Sequence, residues 1–284
     1  PIHNKGNHAT LAIWRICAML ALLSPAKTMD MRPAASPHST PVLLKHSEEL
    51  VSILKKLPAA ELKRMMNLSG ELTKLTAERY AKFKSQPSKA ACLAFDGPAF
   101  RGLNASTFSK AEQKHAQASV RILCALYGVL RPFDNIRPYR LEMASKLKTS
   151  RGKSMYEFWG DLITDAITKE VKVAKIKWLV NCASQEFWKA IRPKRLPAGL
   201  KVVTCEFSGP SSLVKQARGS MCRYIVTKRI KDPAGLKKFT GDEKNRFAFN
   251  AAKSSDSKLV FVPAGKKRLA ESSKAEGTAA KRRR

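Results

Sequence analysis

Three short apolar runs do most to constrain how this chain of 284 residues folds. They are residues 19–23 (MLALL), 178–182 (WLVNC) and 200–207 (LKVVTCEF). Short apolar runs between polar segments are typical of buried β-strands. Residues 90–95 (AACLAF), which end just before Gly97-Pro98, fit the same pattern and predict a fourth buried strand.

Amphipathic helical patterns separate these runs. Thr40-Pro41 is typical of a helix N-terminus, and Ser109 with Glu112 and Ser154 with Glu157 form the pattern of a capping box. Alternating strands and helices predict the α/β class: a single compact domain with a mixed β-sheet core surrounded by helices. We place this domain at residues 19–263, which contain no internal repeat.

Both ends of the chain differ from this central part. We expect residues 1–18 to be a poorly ordered extension, with Met19 as the natural start. Residues 264–284 are rich in Ser, Ala, Gly and charge, which predicts a disordered tail with a net charge of +6. Its clusters 266–268 (KKR) and 281–284 (KRRR) are typical of a nuclear-localisation signal or a tail that binds nucleic acid.

Positive charge is the most unusual property of the composition. The chain has 54 Lys and Arg against 22 Asp and Glu, a net charge of +32, and removing the tail's +6 leaves +26. This excess favours a polyanionic partner, nucleic acid or an anionic membrane, over a merely soluble basic protein. The apolar run at 16–23 is too short to cross a bilayer, and we expect no membrane as partner.

The placement of cysteine and histidine argues against a metal centre. The six cysteines are scattered through apolar stretches, and none forms a Cys-x-x-Cys pair. No histidine follows His115, so the second half of the chain cannot supply the imidazole of a Ser-His-Asp triad. We therefore expect no metal, no cofactor, no identifiable catalytic constellation, and a reducing compartment such as the cytoplasm.

Residues 58–80 predict a helix, a short turn and a second helix. The turn at 67–70 (NLSG) is similar to that of a helix-hairpin-helix, where N–H groups opening the second helix bind a DNA phosphate. Lys63 and Arg64 add positive charge just before the turn. The alternative is an ordinary αα-hairpin packed on the core.

Two further segments carry candidate phosphate-binding residues. The loop 127–142 places Arg131, Arg137 and Arg140 between stiffening prolines and aromatic residues, although a solvated loop paired with its own carboxylates is the alternative. A helix predicted at 213–230 has an apolar face and a basic face that includes Lys215, Arg218 and Arg223. Gly219 inside this helix predicts the close approach of a backbone or a ligand.

Polar residues follow two of the predicted strands. Lys27 comes after the first, without the glycines of a phosphate-binding loop, and Asn181, Ser184 and Glu186 come after the run at 178–182. Since ligands of α/β proteins bind at the carboxyl ends of strands, these residues are candidates for a small-molecule site. Ser184 is also a simple helix N-cap.

Six segments occur in the order seen in a known family. They are SPAKTMD (24–30), LYGVLRP (126–132), PYRLEM (138–143), GKSMYEFWGDLIT (152–164), NCASQEFWKA (181–190) and KQARGSMCRYIV (215–226). On these motifs the chain resembles the YaaA family of peroxide-stress proteins over about residues 19–262. The resemblance implies a cantaloupe-type fold with a positively charged cleft and a helix-hairpin-helix element.

The resemblance also implies a function and a set of site residues. The family binds DNA and protects against hydrogen peroxide by limiting free iron and damage to DNA and protein. The matched basic positions are Lys27, Arg131, Arg140, Lys215, Arg218 and Arg223. We expect Arg131, Arg140 and Arg218 to share one cleft. Two hypotheses follow: a stress protein that binds duplex or distorted DNA, or an enzyme acting on a nucleotide, nucleobase or other anionic small molecule in the same cleft.

Overall fold

A computed structural model describes residues 18–264 of the chain. The expected N-terminal extension, apart from residue 18, and the basic tail after residue 264 lie outside the described residues. The strands are β1 Met19–Leu23, β2 Thr28–Met29, β3 Lys89–Ala90, β4 Phe95–Asp96, β5 Val120–Cys124, β6 Gly128–Leu130, β7 Asn135–Ile136, β8 Trp178–Asn181, β9 Lys201–Phe207, β10 Phe247–Phe249 and β11 Lys258–Pro263.

Eleven α-helices lie among the described residues. They are α1 Leu44–Leu54, α2 Ala59–Met66, α3 Gly70–Ala81, α4 Ala91–Ala94, α5 Pro98–Leu103, α6 Lys110–Ser119, α7 Met155–Trp159, α8 Leu162–Ala174, α9 Gln185–Trp188, α10 Ser211–Lys228 and α11 Pro233–Leu236. Short 3-10 turns occur at Phe83–Ser85, Ala105–Thr107, Pro193–Arg195 and Ala251–Lys253. Within residues 18–264, every helix is too short or too polar to cross a bilayer.

A seven-stranded mixed sheet forms the centre of the domain, which confirms the predicted α/β class. Its strand order is β10-β11-β9-β8-β1-β5-β6. The five inner strands are parallel, and β10 and β6 add antiparallel edges. All five residues of β1 are buried, as expected for an inner parallel strand covered on both faces.

The chain path creates a switch point beside β1. The chain passes from β1 to β5 on one side and then returns to β8 on the other, where Leu22 is in register with Asn181. Neighbouring strands whose connections leave in opposite directions open a crevice at their carboxyl ends, which is where α/β proteins place ligands. The residues that follow Leu23 and Asn181 therefore lie at the natural binding edge of this sheet.

Helices α5 and α10 pack with almost no side chain between them. A Cβ atom on Gly219 would lie 1.7 Å from the carbonyl oxygen of Ala99, and one on Gly102 would lie 2.2 Å from that of Gln216. The close approach predicted for Gly219 is confirmed, and the partner is a helix backbone. Arg218, next to this contact, is therefore carried by a rigidly packed pair of helices.

Several local predictions are confirmed and three are wrong. Ser109 and Glu112 form the expected capping box, and Ser154 accepts the N–H of Glu157. The predicted strand at 90–95 is instead α4 between two short strands, with the N–H groups of Ala91 and Cys92 bonded to the loop at 132–134. A short apolar run does not distinguish a buried strand from a buried helical turn.

The other two corrections concern helix ends. The helix expected from Thr40-Pro41 begins at Leu44, because the carbonyl of Thr40 accepts a bond from the Arg131 guanidinium instead of starting a helix. The helical pattern after Ser154 is divided into α7 and α8 at Gly160, whose φ of 47° leaves the right-handed helical region. The predicted hairpin at 58–80 is present as α2, a turn at 67–69 and α3.

Candidate functional site

Ser24 and Ser184 join the two strand ends at the switch point. The Ser184 N–H donates to Ser24 Oγ over 2.8 Å, and the two hydroxyl oxygens lie 3.2 Å apart. Ser184 is the N-cap residue of α9, as predicted, and its carbonyl accepts the N–H of Trp188 over 2.9 Å, but its hydroxyl makes no capping bond to the helix. The Ser184 hydroxyl instead accepts a hydrogen bond from the Ser24 hydroxyl in the crevice between β1 and β8.

Asn181 shapes the turn that follows β8. Its Oδ1 accepts the N–H of Ala183 over 3.0 Å, and the side chain is buried. Asn181 therefore positions the backbone that leads to Ser184. Its amide faces Thr204 of β9 at 3.5 Å, which is at the limit of a hydrogen bond.

Lys27 and Arg140 meet on one carboxylate. Lys27 Nζ lies 2.7 Å from Glu142 Oε1, and Arg140 Nη2 lies 3.5 Å from the same oxygen. Lys27 is mostly exposed, whereas the Arg140 side chain is 17% exposed and its Nε is buried without a partner among the described residues. An anion that displaced Glu142 would therefore find one mobile and one fixed cation at this edge.

Tyr80 fixes the backbone at Arg140 through a hydrogen bond. The Tyr80 hydroxyl donates to the Arg140 carbonyl, and burial raises the pKa of that hydroxyl far above its ordinary value. Tyr80 therefore stays a neutral donor at any physiological pH. The hairpin helix α3 thus supports the loop that carries Arg140.

Glu186 ties the same loop to the end of β8. Its Oε1 accepts the N–H of Ala144 over 3.3 Å, and its carbonyl accepts the hydroxyl of Tyr156 over 2.9 Å. The structure thus joins predicted site residues from three separate motifs. We call this set the carboxyl-edge cluster: Ser24, Lys27, Arg140, Glu142, Ser184 and Glu186.

Arg218 approaches the end of β8 from α10. It lies close enough to Cys182 and Glu206 to interact with both electrostatically, and burial lowers the pKa of its guanidinium. Its Nε is buried without a partner in the described part of the chain. Cys182 directly follows β8, so Arg218 reaches the same sheet edge as the carboxyl-edge cluster.

Two predicted site arginines have structural partners instead. Arg131 binds the carboxylate of Asp134, and its Nη2 donates to the Thr40 carbonyl. Arg223 donates to the carbonyl of Asn104 over 3.0 Å and lies over the ring of Phe108. The hydrogen bonds and ion pairs of the described residues do not connect Arg131 with Arg140 or Arg218, and a cleft shared by the three arginines stays a prediction.

The other predicted cations are distributed over the surface. Lys63 and Arg64 are exposed in the last turn of α2, and Lys215 is exposed in the second turn of α10. Arg137 lines a separate cleft of about 570 Å³. Among residues 18–264, no group of three or more His, Cys, Asp or Glu side chains is placed to hold a metal ion.

Sequence reasoning did not single out Ser24, and it named Glu142 only as a carboxylate that pairs within the loop at 127–142, where it does meet Arg140. Both lie within motifs quoted above, SPAKT and PYRLEM, but a lone serine and a lone glutamate carry no chemical signature of their own. The available signal was position: Ser24 is the residue directly after a predicted central strand, where α/β proteins build their sites.

The fold defines an α/β protein with a seven-stranded mixed sheet, and basic side chains lie at the carboxyl edge of that sheet. Residues 19–253 match the family model of the peroxide stress protein YaaA. The chain therefore belongs to the YaaA family of peroxide-stress proteins, as its motifs predicted. The match covers the whole sheet except β11.

Bacterial relatives agree with this assignment. A UPF0246 protein from Ralstonia pickettii is 42% identical over 257 residues, and the similarity spans 86% of this chain and 98% of the relative. UPF0246 proteins from Cupriavidus metallidurans and Burkholderia ambifaria are each 41% identical, with the same coverage. Almost the full length of these proteins thus corresponds to the described domain.

Proposed function

We propose that the protein acts in the peroxide stress response by binding the phosphate backbone of DNA. The observation that carries this proposal is the charge of the folded part: residues 18–264 alone have 44 Lys and Arg against 20 Asp and Glu, a net charge of +24. Positive charge of this size on a folded domain gives strong, sequence-independent attraction to nucleic acid. The family membership supplies the biological setting, oxidative stress.

The hairpin of α2 and α3 is the proposed contact with a single phosphate. Ser69 Oγ accepts the N–H of Leu72, while the N–H groups of Gly70 and Glu71 open the helix without a bond from that cap. A Cβ on Gly70 would meet nothing within 4 Å, so the approach to this helix end is clear. Lys63 and Arg64 beside it would hold the neighbouring phosphates.

The same contacts suggest how DNA binding would limit damage. DNA phosphates retain a condensed layer of cations, and each phosphate neutralised by Lys or Arg releases such counterions. Iron(II) held in that layer reduces hydrogen peroxide to a hydroxyl radical beside the sugar. A basic protein covering the backbone would displace iron(II) from the place where it does most harm.

A binding titration tests the proposal. Duplex, single-stranded and bubble DNA are titrated at several salt concentrations with the full chain and with a chain ending at residue 264. The logarithm of affinity should fall linearly with the logarithm of salt, by about 0.9 per phosphate neutralised on duplex DNA, in both proteins. Binding that disappears with the tail would overturn the role of the folded domain.

Matched variants test the hairpin within that experiment. Lys63→Ala with Arg64→Ala should weaken duplex binding and reduce the salt slope, at an unchanged melting temperature. Lys55→Ala with Lys56→Ala removes two adjacent exposed cations at the end of α1 and is the control. If the two double variants bind DNA equally, the hairpin is only a packing element.

The carboxyl-edge cluster supports a second candidate function, an enzyme for an anionic small molecule. The specific observation is the pair of partly buried guanidinium groups, Arg140 and Arg218, each with an Nε that has no partner among the described residues. A nucleotide or nucleobase that protects the folded protein against heating, and loses this effect in Arg218→Met while DNA binding persists, would favour this function.

A further inference from the structure

A cleft separate from the carboxyl-edge cluster has the features of a small-molecule site. It lies between α1, the segment at 38–41, the 3-10 turn Phe83–Ser85 and β7, and it encloses about 570 Å³. Volumes of this order are typical of pockets that bind organic ligands. None of the residues of the carboxyl-edge cluster lines it.

Arg137 lines this cleft with a guanidinium that is incompletely paired. Its Nε is fully buried and has no hydrogen-bond partner among the described residues, although its backbone N–H donates to the Tyr127 hydroxyl over 3.0 Å. Buried donors are almost always paired, and leaving one unpaired is costly. An anion bound in the cleft would satisfy this guanidinium.

The lining has two chemically different parts. Lys84 and Arg137 both line the cleft, so it can attract a doubly charged group. Leu44, Val51 and Phe83 form an apolar part that suits a flat ring. The exposed carboxylate of Glu48 is available to accept a bond from an amino or hydroxyl group of the ligand.

The wall of the cleft is fixed before any ligand binds. Ser39 exchanges backbone bonds with Phe133 and Asn135, over 2.9 and 2.8 Å, and its hydroxyl donates to Asp134 Oδ1 over 2.6 Å. The guanidinium of Arg131 donates a hydrogen bond to the carbonyl of Thr40, the residue after Ser39. A preformed wall loses little conformational entropy on binding, which favours a specific ligand.

From this arrangement we infer that the cleft binds a nucleoside monophosphate, with the phosphate on Arg137 and Lys84 and the base against Phe83. The phosphate needs both cations, the base fits the apolar part, and Glu48 accepts from an exocyclic amine or a ribose hydroxyl. The ligand is either a free nucleotide or the 5′-phosphate end of a DNA strand, since both present the same chemistry. The inference does not depend on the proposed DNA-binding hairpin.

Calorimetric titration with AMP, adenosine and inorganic phosphate tests the inference. AMP should bind, and adenosine and phosphate should each bind at least tenfold more weakly. Arg137→Met and Lys84→Met should each weaken AMP binding at least tenfold, whereas Lys55→Met, an exposed cation outside the cleft, should leave it unchanged. Leu44→Trp, which fills the apolar part without removing charge, should abolish it.

Two results would overturn the site. One is the absence of AMP binding by the unaltered protein, and the other is AMP binding that survives both Leu44→Trp and Lys84→Met. Lys84 is exposed, so its variant tests the site even if Arg137→Met fails to fold. Single-stranded oligonucleotides with and without a 5′-phosphate then identify the source. A preference for the phosphorylated strand that Leu44→Trp removes assigns the cleft to DNA ends, and no preference assigns it to free nucleotides.

Discussion

Arg131 and Asp134 form an ion pair whose acidic member is buried. Asp134 is 1% exposed and accepts both the backbone N–H of Arg131, over 2.8 Å, and its Nε, over 3.0 Å. Ser39 donates to the same carboxylate. The Arg131–Asp134 pair therefore attaches the loop at 127–142 to residues 39–40. Arg131 is better explained as a structural residue than as a DNA contact.

Replacing Arg131 should accordingly cost stability. Arg131→Met leaves the Asp134 carboxylate buried with fewer partners, and breaking such pairs costs about 3 kcal/mol. We expect urea unfolding to show a loss of about 2–3 kcal/mol, because Arg131 is partly exposed. Arg32→Met, which breaks an exposed pair with Asp30, should have a much smaller effect. Equal effects of the two variants would show that the Asp134 carboxylate is not dependent on its partner.

Gly219 should tolerate no side chain. Gly219→Ala would place a Cβ 1.7 Å from the Ala99 carbonyl oxygen, so α5 and α10 must separate, at a cost of about 3 kcal/mol or more. Gly70→Ala is the matched control, because its Cβ meets open space at the start of α3. It should stabilise the protein by up to about 1 kcal/mol. Thermal unfolding of both variants checks the pair, and a neutral Gly219→Ala would contradict the packing described here.

Arg140 should require its guanidinium geometry for anion binding. Arg140→Lys keeps the charge but loses the planar fork, so DNA affinity should fall at least about threefold. Lys258→Ala, which removes an exposed cation paired loosely with Glu206, should have a smaller effect. If Arg140→Lys binds DNA like the unaltered protein, only diffuse charge matters at this edge.

His115 should make the protein less stable in mild acid. Burial lowers the pKa of His115 below its ordinary value of 6.5, and Arg229 acts in the same direction. Between the lowered folded value and the unfolded value, the unfolded state binds more protons, so stability falls as pH drops below about 6.5. Denaturant unfolding at several pH values should show a smaller fall for His115→Leu than for the exposed control His38→Leu. An unchanged pH profile in His115→Leu would exclude His115 as the cause.

Sequence periodicity predicted the sheet well where strands are long and apolar. Residues 178–182 and 200–207 became β8 and β9: β8 is buried over its last three residues, as an inner parallel strand requires, whereas burial alternates along β9 and is complete at Val203 and nearly so at Cys205 and Phe207. The strand predicted at 90–95 was wrong because the backbone groups of this segment bond to the loop at 132–134, which lies 40 or more residues away in the chain. Local patterns contain no information on such distant partners.

The candidate site was predictable in its location and less so in its partners. The predicted strand ends and the motifs indicated the carboxyl edge of the sheet. The structure has there Lys27, Arg140, Ser184 and Glu186. The choice of Glu142 as the common partner of Lys27 and Arg140 depends on how the loop at 127–142 folds back over the sheet. The pairing of Arg131 with Asp134 and of Arg140 with Glu142, by contrast, is local in the chain and agrees with the alternative of a loop paired with its own carboxylates.

The central position of β1 has a consequence for synthesis on the ribosome. The first strand to emerge pairs with residues 120–122 on one side and 178–181 on the other, so its apolar run stays uncovered until most of the domain has been translated. Exposed strands of this kind are prone to aggregation. We therefore expect the nascent chain to be most prone to aggregation while residues 19–181 are being translated, and a chain truncated before β8 cannot form the crevice.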